Sequence, residues 1–349
     1  MPYDGVGTKM EIREPERLTP IVGEADVVVV GSGPGGLSAA IAAARAGVSV
    51  ILIERFGCFG GNITSVGVEG FAWYRHEKTI EAGGLAFEYE QRAIENNAAV
   101  PESQSKSYEL DSEGFKVVAD NLVLKAGVRP MLHRAFCSPI LEGNEIRGVI
   151  TESKAGREAI MGKIIIDATG DADVARRSGV TVFKNSKEDM ISASVMFHMS
   201  GVNKEEFMDE IKRDPQKYSD WSDKNWQVQT SGKEDDMFSP FLRKPFEKAK
   251  ESGLIDSDLQ TISGTWGAIH DSGELTYLNL VHLNGIDGTD PESLTKGEIE
   301  GRKAALEAIA ALKEYMPGCS AGKLRNFGMT IGIRDTYKID SEYNLSDED

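Results

Sequence analysis

Apolar positions along this chain fall into short runs separated by glycine-rich breaks, with the densest runs near the N-terminus. Val27-Val28-Val29-Val30 has no polar alternation, which suits a parallel strand covered on both faces rather than a half-exposed one. A small-residue stretch with Ala39, Ala40, Ala42, Ala43 and Ala44 predicts a helix able to lie close to a sheet, and Gly47 is placed to end it. Val48 to Ile53 reads as the next strand. Helical spacing recurs over 77 to 97, where Leu85, Tyr89 and Ala93 are four apart, and over Ser112 to Lys125, with Gly127 as its stop. Val128 to Ile140, Glu145 to Ser153 and Arg157 to Met161 read as extended segments of an antiparallel meander, joined by Gly143-Asn144 and Lys154-Ala155-Gly156. Ile164-Ile165-Ile166 predicts another buried strand, turned by Ala168-Thr169-Gly170.

Beyond residue 183 the pattern changes. Residues 184 to 260 are rich in Lys, Asp, Glu and Ser and carry Trp221 and Trp226. A domain boundary is placed there. Leu275 to Leu283 then predicts a strand, and Leu294 to Tyr315 a helix halted by Pro317-Gly318. The expected architecture is α/β: a Rossmann-like cofactor domain over 21–183 with a small antiparallel meander, a second α+β substrate or cap domain over 184–325, and a segment over 326–349 returning toward the first. Residues 1–20 are expected to form an exposed arm.

Composition narrows the function classes. The 349 residues carry a formal charge of -17, which argues against nucleic acid or an anionic membrane as partner. No apolar run approaches the ~20 residues of a membrane helix, and no secretory leader is evident. Three scattered cysteines, Cys58, Cys137 and Cys319, fit a reducing cytoplasm and no disulfide framework. His76, His133, His198 and His270 have no metal spacing, so no metal site is expected.

The chemistry concentrates after the four valines. In Gly31-Ser32-Gly33-Pro34-Gly35-Gly36, Gly31 permits the tight turn, Gly33 lets backbone approach a pyrophosphate, and Gly36 allows close helix-to-strand packing. Pro34 opens the helix whose N-terminus would receive the negative charge. Glu54, at the end of the next strand, can accept from both ribose hydroxyls and would repel a 2′-phosphate. A second glycine-rich segment, Arg55 to Thr64, is expected to be a loop with accessible amides.

The motifs VVVVGSGPGGLSAAIAAARAG, ILIERFGCFGGNIT, IIIDATGDADVARRSG, HLNGIDGTDPESLTKGEIEGR and TIGIRDTYKIDSEY resemble the FAD-dependent oxidoreductases of the glutathione-reductase-like superfamily, in particular flavoproteins similar to the FAD-bearing component of heterodisulfide reductase. The resemblance implies that Gly31, Gly33, Gly36 and Glu54 hold the ADP half of FAD with Arg55 beside the adenosine. It further implies that Gly60, Gly61 and Thr64 line the pyrophosphate and flavin approach, and that Gly170 and Asp171 return to the cofactor. An NAD-dependent dehydrogenase, the alternative cofactor reading, has no need of the late ATGD segment. Related dithiol reductases carry a cysteine pair after the ribose acid, whereas Cys58 stands alone, either as a loop residue or as a lone thiol; three scattered cysteines also exclude an iron–sulfur cluster.

The family also continues past TIGIRDTYKIDSEY, whereas this sequence ends at Asp349. By resemblance the chain is C-terminally truncated, which keeps a non-catalytic dinucleotide-binding or interaction protein open as an alternative. For the oxidoreductase, a small-molecule substrate and an electron donor or acceptor are the expected partners. His282 is a candidate for proton exchange and Arg334 for clamping a carboxylate, each against a structural reading: local hydrogen bonds for His282, an ion pair with Asp335 or Asp340 for Arg334.

Overall fold

The computed structural model describes residues 14–70, 83–101, 108–214 and 241–344. Most of the expected N-terminal arm, the start of the helix expected over 77–97, His76, and Trp221 and Trp226 fall outside them. The chain begins with β1 (Ile21–Val30), α1 (Pro34–Arg45) and β2 (Val50–Ile53), followed by a π-helical turn over Asn62–Val66. Next come α2 (Gly84–Glu95), the short strands β3 (Ala99–Pro101) and β4 (Tyr108–Leu110), and α3 (Ser112–Lys125). Strands β5 (Arg129–Met131), β6 (Ala135–Glu142), β7 (Glu145–Ser153) and β8 (Gly156–Asp167) complete the first sheet. After α4 (Asp173–Arg177) and β9 (Val182–Phe183) come β10 (Ala193–Ser200), α5 (Lys204–Arg213), β11 (Phe241–Leu242) and α6 (Lys244–Glu251). Last are β12 (Ile262–Thr265), β13 (Leu275–Leu283), α7 (Pro291–Tyr315), β14 (Lys323–Phe327) and β15 (Lys338–Ile339).

The four valines sit at the centre of a six-stranded sheet ordered β5-β2-β1-β8-β7-β6. β1 runs parallel to both β2 and β8, and its side chains alternate between two cores. Val27 and Val29 pack with Leu37, Ile41, Phe115 and Val118 from α1 and α3, while Val28 and Val30 pack with Val149, Ile160 and Val174 on the other face. Such two-sided burial is what the valine run encodes, whereas the isoleucine run expected to be a buried strand is not fully covered: Ile164 is 59% exposed and Ile165 and Ile166 are half-buried. Helix α3 forms over the residues its pattern predicts because Asp111 accepts from the amides of Glu113 and Gly114 at one end and Gly127, at φ +80°, leaves the helix at the other.

Three further expectations are corrected. The extended run over Val128–Ile140 is two strands, because His133 adopts a left-handed φ of +57° between them. β5 therefore joins the parallel sheet beside β2, and only β6 enters the meander. The meander and the isoleucine run are also not separate units: β8 is one strand, antiparallel to β7 and parallel to β1. Finally, the glycine-rich loop after Glu54 closes into the π-helical turn, with Gly67 at φ +85° ending it.

The second sheet is antiparallel, ordered β11-β12-β13-β10-β14, and α5, α6 and α7 pack with it around one core. Gly301 lets α7 lie against β10, since a Cβ there would come within 2.3 Å of the Val195 side chain. Residues after β14 cross back to the first sheet: the amide of Met329 donates to the Ser65 carbonyl at 2.7 Å, and the Thr336 hydroxyl donates to Asp171 Oδ1 at 2.9 Å. No helix among the described residues is long and apolar enough to cross a membrane.

Candidate functional site

A cleft of about 710 Å³ opens at the carboxyl ends of β1, β2 and β8 and is closed on its far side by Gly288, Leu294, Thr330, Ile331 and Ile333. This volume lies in the range of small-molecule and cofactor sites. Gly31, Gly33, Pro34, Gly36, Glu54, Arg55, Gly61, Gly170 and Asp171 all line it. Gly60 and Thr64 do not. Gly60 instead donates its amide to the Ser32 carbonyl at 2.9 Å, and the Thr64 hydroxyl is spent on the Phe59 carbonyl at 2.6 Å.

The glycines differ in what they make possible. Gly31 has φ +97°, and a Cβ there would meet the Ala168 carbonyl at 2.3 Å. A Cβ on Gly36 would stand 2.0 Å from the Gly31 carbonyl oxygen. Both glycines are demanded by the protein itself. Gly33 is not: its φ of -59° suits any residue, and a Cβ would meet no protein atom within 4 Å. The room it leaves is in the cleft, at the N-terminus of α1. That terminus has no side-chain cap and no acidic residue in its first turn, so its amides and positive dipole end are left for an anion.

Glu54 is 5% exposed, with Oε2 accepting from the Ser32 amide (3.0 Å) and hydroxyl (2.6 Å) and Oε1 from the Phe56 amide (2.9 Å). Its carboxylate is thereby fixed at the end of β2 with lone pairs still available. Across the cleft, Asp167 accepts from the Thr169 amide and hydroxyl and from the Ala175 amide, holding the second glycine turn. Burial pushes the Asp171 carboxyl up from the usual range, opposed by the Thr336 hydroxyl and raised further by Asp173. Asp173 is raised by burial as well, against the pull of Arg177. Arg55 stacks its guanidinium 4.7 Å from the Phe56 ring centre.

The two residues proposed for chemistry are placed elsewhere. His282 lies on β13 opposite Ser194, its Nε2 3.0 Å from where a Cβ on Gly264 would stand, and does not line the cleft. Arg334 is exposed and also off the cleft. Its neighbour Asp335 pairs instead with Lys338 and accepts from Asn185, which holds it below the usual carboxylate range. Cys58 is a free thiol, 3.7 Å from the Thr64 hydroxyl. Cleft residues that the sequence does not single out include Arg134 and Phe136, which lie in no motif, and Glu298, which lies within HLNGIDGTDPESLTKGEIEGR but is given no role by it. Glu298 Oε1 accepts from Thr330 (2.8 Å) and from the Ile331 amide (2.9 Å), a contact spanning more than thirty residues.

A family model described as FAD dependent oxidoreductase matches residues 26–349. The chain belongs to that family. FAD is accordingly its cofactor, and the nicotinamide-only alternative falls away. Thiamine thiazole synthase from Saccharolobus islandicus is 33% identical over 162 residues, which is 43% of this chain and 57% of that protein. The chain thus spans little more than half the length of the curated relatives it matches. Among solved structures, a geranylgeranyl bacteriochlorophyll reductase-like protein from Thermoplasma acidophilum has a TM-score of 0.51 at 15% identity, covering 89% of this chain and 66% of that one. A triple mutant of the flavin-dependent brominase Bmp2 has a TM-score of 0.52 at 15% identity, covering 92% and 70%. At such identities the shared property is the fold.

Proposed function

We propose that this protein is an FAD-dependent enzyme that transfers a hydride between a small organic substrate and its flavin. The observation that carries this reading is Gly33: a position where the protein neither needs glycine for its backbone nor fills the space, opening on the uncapped α1 terminus. In it, the α1 amides take the pyrophosphate, Glu54 takes the ribose hydroxyls, and Gly61, Gly170 and Asp171 border the rest of the cofactor. When bound, FAD supplies the hydride chemistry. The chain's own work is to bind, to orient and to keep water out, the last through Gly288, Thr330 and Ile331 from the second sheet's side of the cleft. Neither His282 nor Arg334 is assigned a proton in this reading, because neither lines the cleft. Within the family, the GxGxxG and ATGD motifs support a place among glutathione-reductase-like flavoproteins, without dithiol chemistry because Cys58 has no cysteine partner.

The test is an anaerobic titration of the FAD-loaded protein with small hydroxy and oxo compounds while the flavin absorbance is followed. Substrate-dependent bleaching at one FAD per chain is the expected result. A flavin that dithionite bleaches but no organic substrate does would replace this reading with a non-catalytic binding protein.

A further inference from the structure

The cleft is acidic, although the cofactor it takes carries an anionic pyrophosphate. Five carboxylates line it, those of Glu54, Asp167, Asp171, Asp173 and Glu298, against the two guanidiniums of Arg55 and Arg134. Arg134 is already paired with Glu158, 2.9 Å away. The uncapped α1 terminus and the turn that carries Asp171 are in contact: a Cβ on Gly31 would stand 2.3 Å from the Ala168 carbonyl oxygen, and one on Gly36 3.0 Å from the Ala168 side chain. An anion seated on the α1 amides therefore raises the electrostatic cost of ionised carboxylates in that turn, and a carboxyl able to take a proton relieves it.

Hydrogen bonding decides which carboxyl that is. Both oxygens of Glu54 and both of Asp167 accept from backbone amides, and those of Glu298 accept from the Ile331 amide and the Arg302 guanidinium. Amides and guanidiniums donate and cannot accept, so a proton on any of these carboxylates competes with a hydrogen already there. Asp171 differs. Its Oδ1 accepts from the Thr336 hydroxyl at 2.9 Å, and the same hydroxyl lies 3.3 Å from the Gly170 carbonyl oxygen. A hydroxyl rotates: it donates to Asp171 when the carboxylate is ionised, and it accepts from a protonated Asp171 while donating to Gly170. Both protonation states are hydrogen-bonded with no heavy atom moved.

The charges around Asp171 act in the same direction. Burial is the main reason its carboxyl lies above the usual range; Asp173 and Asp167 add to that, and the Thr336 hydroxyl and Arg55 oppose it. Asp173 is pushed up by burial too, but it faces Arg177, Arg55 and Arg176, which favour its charged form. In the segment returning from the second sheet, Asp335 is taken by Lys338 and Asn185, while the Arg176 guanidinium and the Lys184 ammonium lie 4.7 Å and 5.2 Å from the Tyr337 ring centre.

We propose that Asp171 takes up a proton as FAD enters, so that the cleft binds the cofactor and one proton together. The inference rests on the reading that FAD seats its pyrophosphate at the α1 terminus, and it adds the pH condition for that seat. The sign follows from linkage. A carboxyl that holds its proton more tightly with FAD than without it makes binding tightest below its flavin-free value; binding weakens between the two values and levels off above the bound one. A single proton sets the limit at about tenfold in Kd per pH unit.

The test titrates flavin-free protein with FAD between about pH 5 and 8, following loss of free-flavin fluorescence, and counts protons by calorimetry in buffers of different ionisation enthalpy. Neither the pyrophosphate nor the oxidised flavin gains or loses a proton in that range. Wild-type protein is expected to bind at least about 10-fold more weakly at the alkaline end, with net proton uptake where the profile is steep. Asp171→Asn, neutral at every pH, should give a flat profile and bind about 10-fold more tightly than wild type at the alkaline end, whereas Asp173→Asn should keep the slope. Wild-type binding without pH dependence or proton uptake, or a slope that survives in Asp171→Asn, would overturn the proposal. So would weaker binding by Asp171→Asn at every pH, which would give the carboxylate to a hydroxyl of the cofactor instead. Absence of FAD binding by the wild type at any pH would overturn the site as well as the proton, whereas pH-independent binding strikes only the proton. Bleaching by substrate enters neither readout, so hydride transfer stands or falls separately.

Discussion

The turn after β1 and a small cavity beside β10, lined by Lys116, His198 and Asn326 with His198 Nε2 3.0 Å from Glu69 Oε2, are each built from a handful of residues, but they draw on the chain in opposite ways. Gly31, Gly33, Gly36 and Glu54 lie within 24 consecutive positions, and each answers a local demand of turn, approach, packing or strand end. Glu69, Lys116, His198 and Asn326 span most of the chain and meet only because the second sheet docks on the π-helical turn. A local constellation leaves a motif, whereas a long-range one leaves only ordinary residues in ordinary elements.

The largest effect is expected inside the turn. Gly36→Val puts a side chain where a Cβ alone would stand 2.0 Å from the Gly31 carbonyl oxygen. Backbone on that side cannot yield cheaply, so a loss of about 4 kcal/mol or more in urea unfolding is expected. A loss under about 1 kcal/mol would mean that the close packing of α1 on β1 is not a requirement of the fold.

A smaller effect probes the long-range side. Lys184 Nζ donates to Asp287 Oδ2 and to the Thr289 hydroxyl, both at 2.7 Å, across more than one hundred residues beside Gly288 of the cleft. Burial raises the Asp287 carboxyl, but the bonds from Lys184 and Thr289 outweigh it and hold it at about 2, below its ordinary 3.8. A depressed carboxyl contributes stability above its unfolded value and loses it as pH falls through the folded one. Lys184→Met is therefore expected to cost on the order of 1 kcal/mol near neutral pH and nothing once Asp287 is protonated in both states. Unfolding curves at several pH values check it; a pH-independent difference would assign the loss to packing of the Lys184 stem.

The same contrast explains which parts of the structure were legible. β1, α1, β2 and α3 follow from their residues because burial on both faces, small residues and caps act within a few positions. The split of the Val128–Ile140 run was hidden, since nothing in the sequence announces that His133 takes a left-handed conformation. The fusion of the meander with the parallel sheet was hidden too, because Gly162 looks like a break although β8 passes through it with φ outside the left-handed region. Among the candidate residues, the cleft gathered those named for the first glycine turn and for the ATGD turn but not Gly60, Thr64, His282 or Arg334. His198 carried no motif: only the neighbourhood of Glu69, 129 positions earlier, gives its imidazole a direction. Strand alternation could have placed His198 on a face of β10, but not opposite which acid.

If the cleft at Gly33 is shaped by a dinucleotide and not by the protein's own packing, a side chain there should cost cofactor binding and not stability. The most direct test compares wild type with Gly33→Leu: thermal unfolding of the flavin-free proteins, and the FAD released on denaturing each after reconstitution. Equal flavin-free stability is expected, because the backbone at Gly33 suits any residue and a Cβ there meets no protein atom within 4 Å, together with FAD binding weakened by more than about 100-fold because the pyrophosphate can no longer reach the α1 amides. Equal FAD content in the two proteins would contradict that expectation.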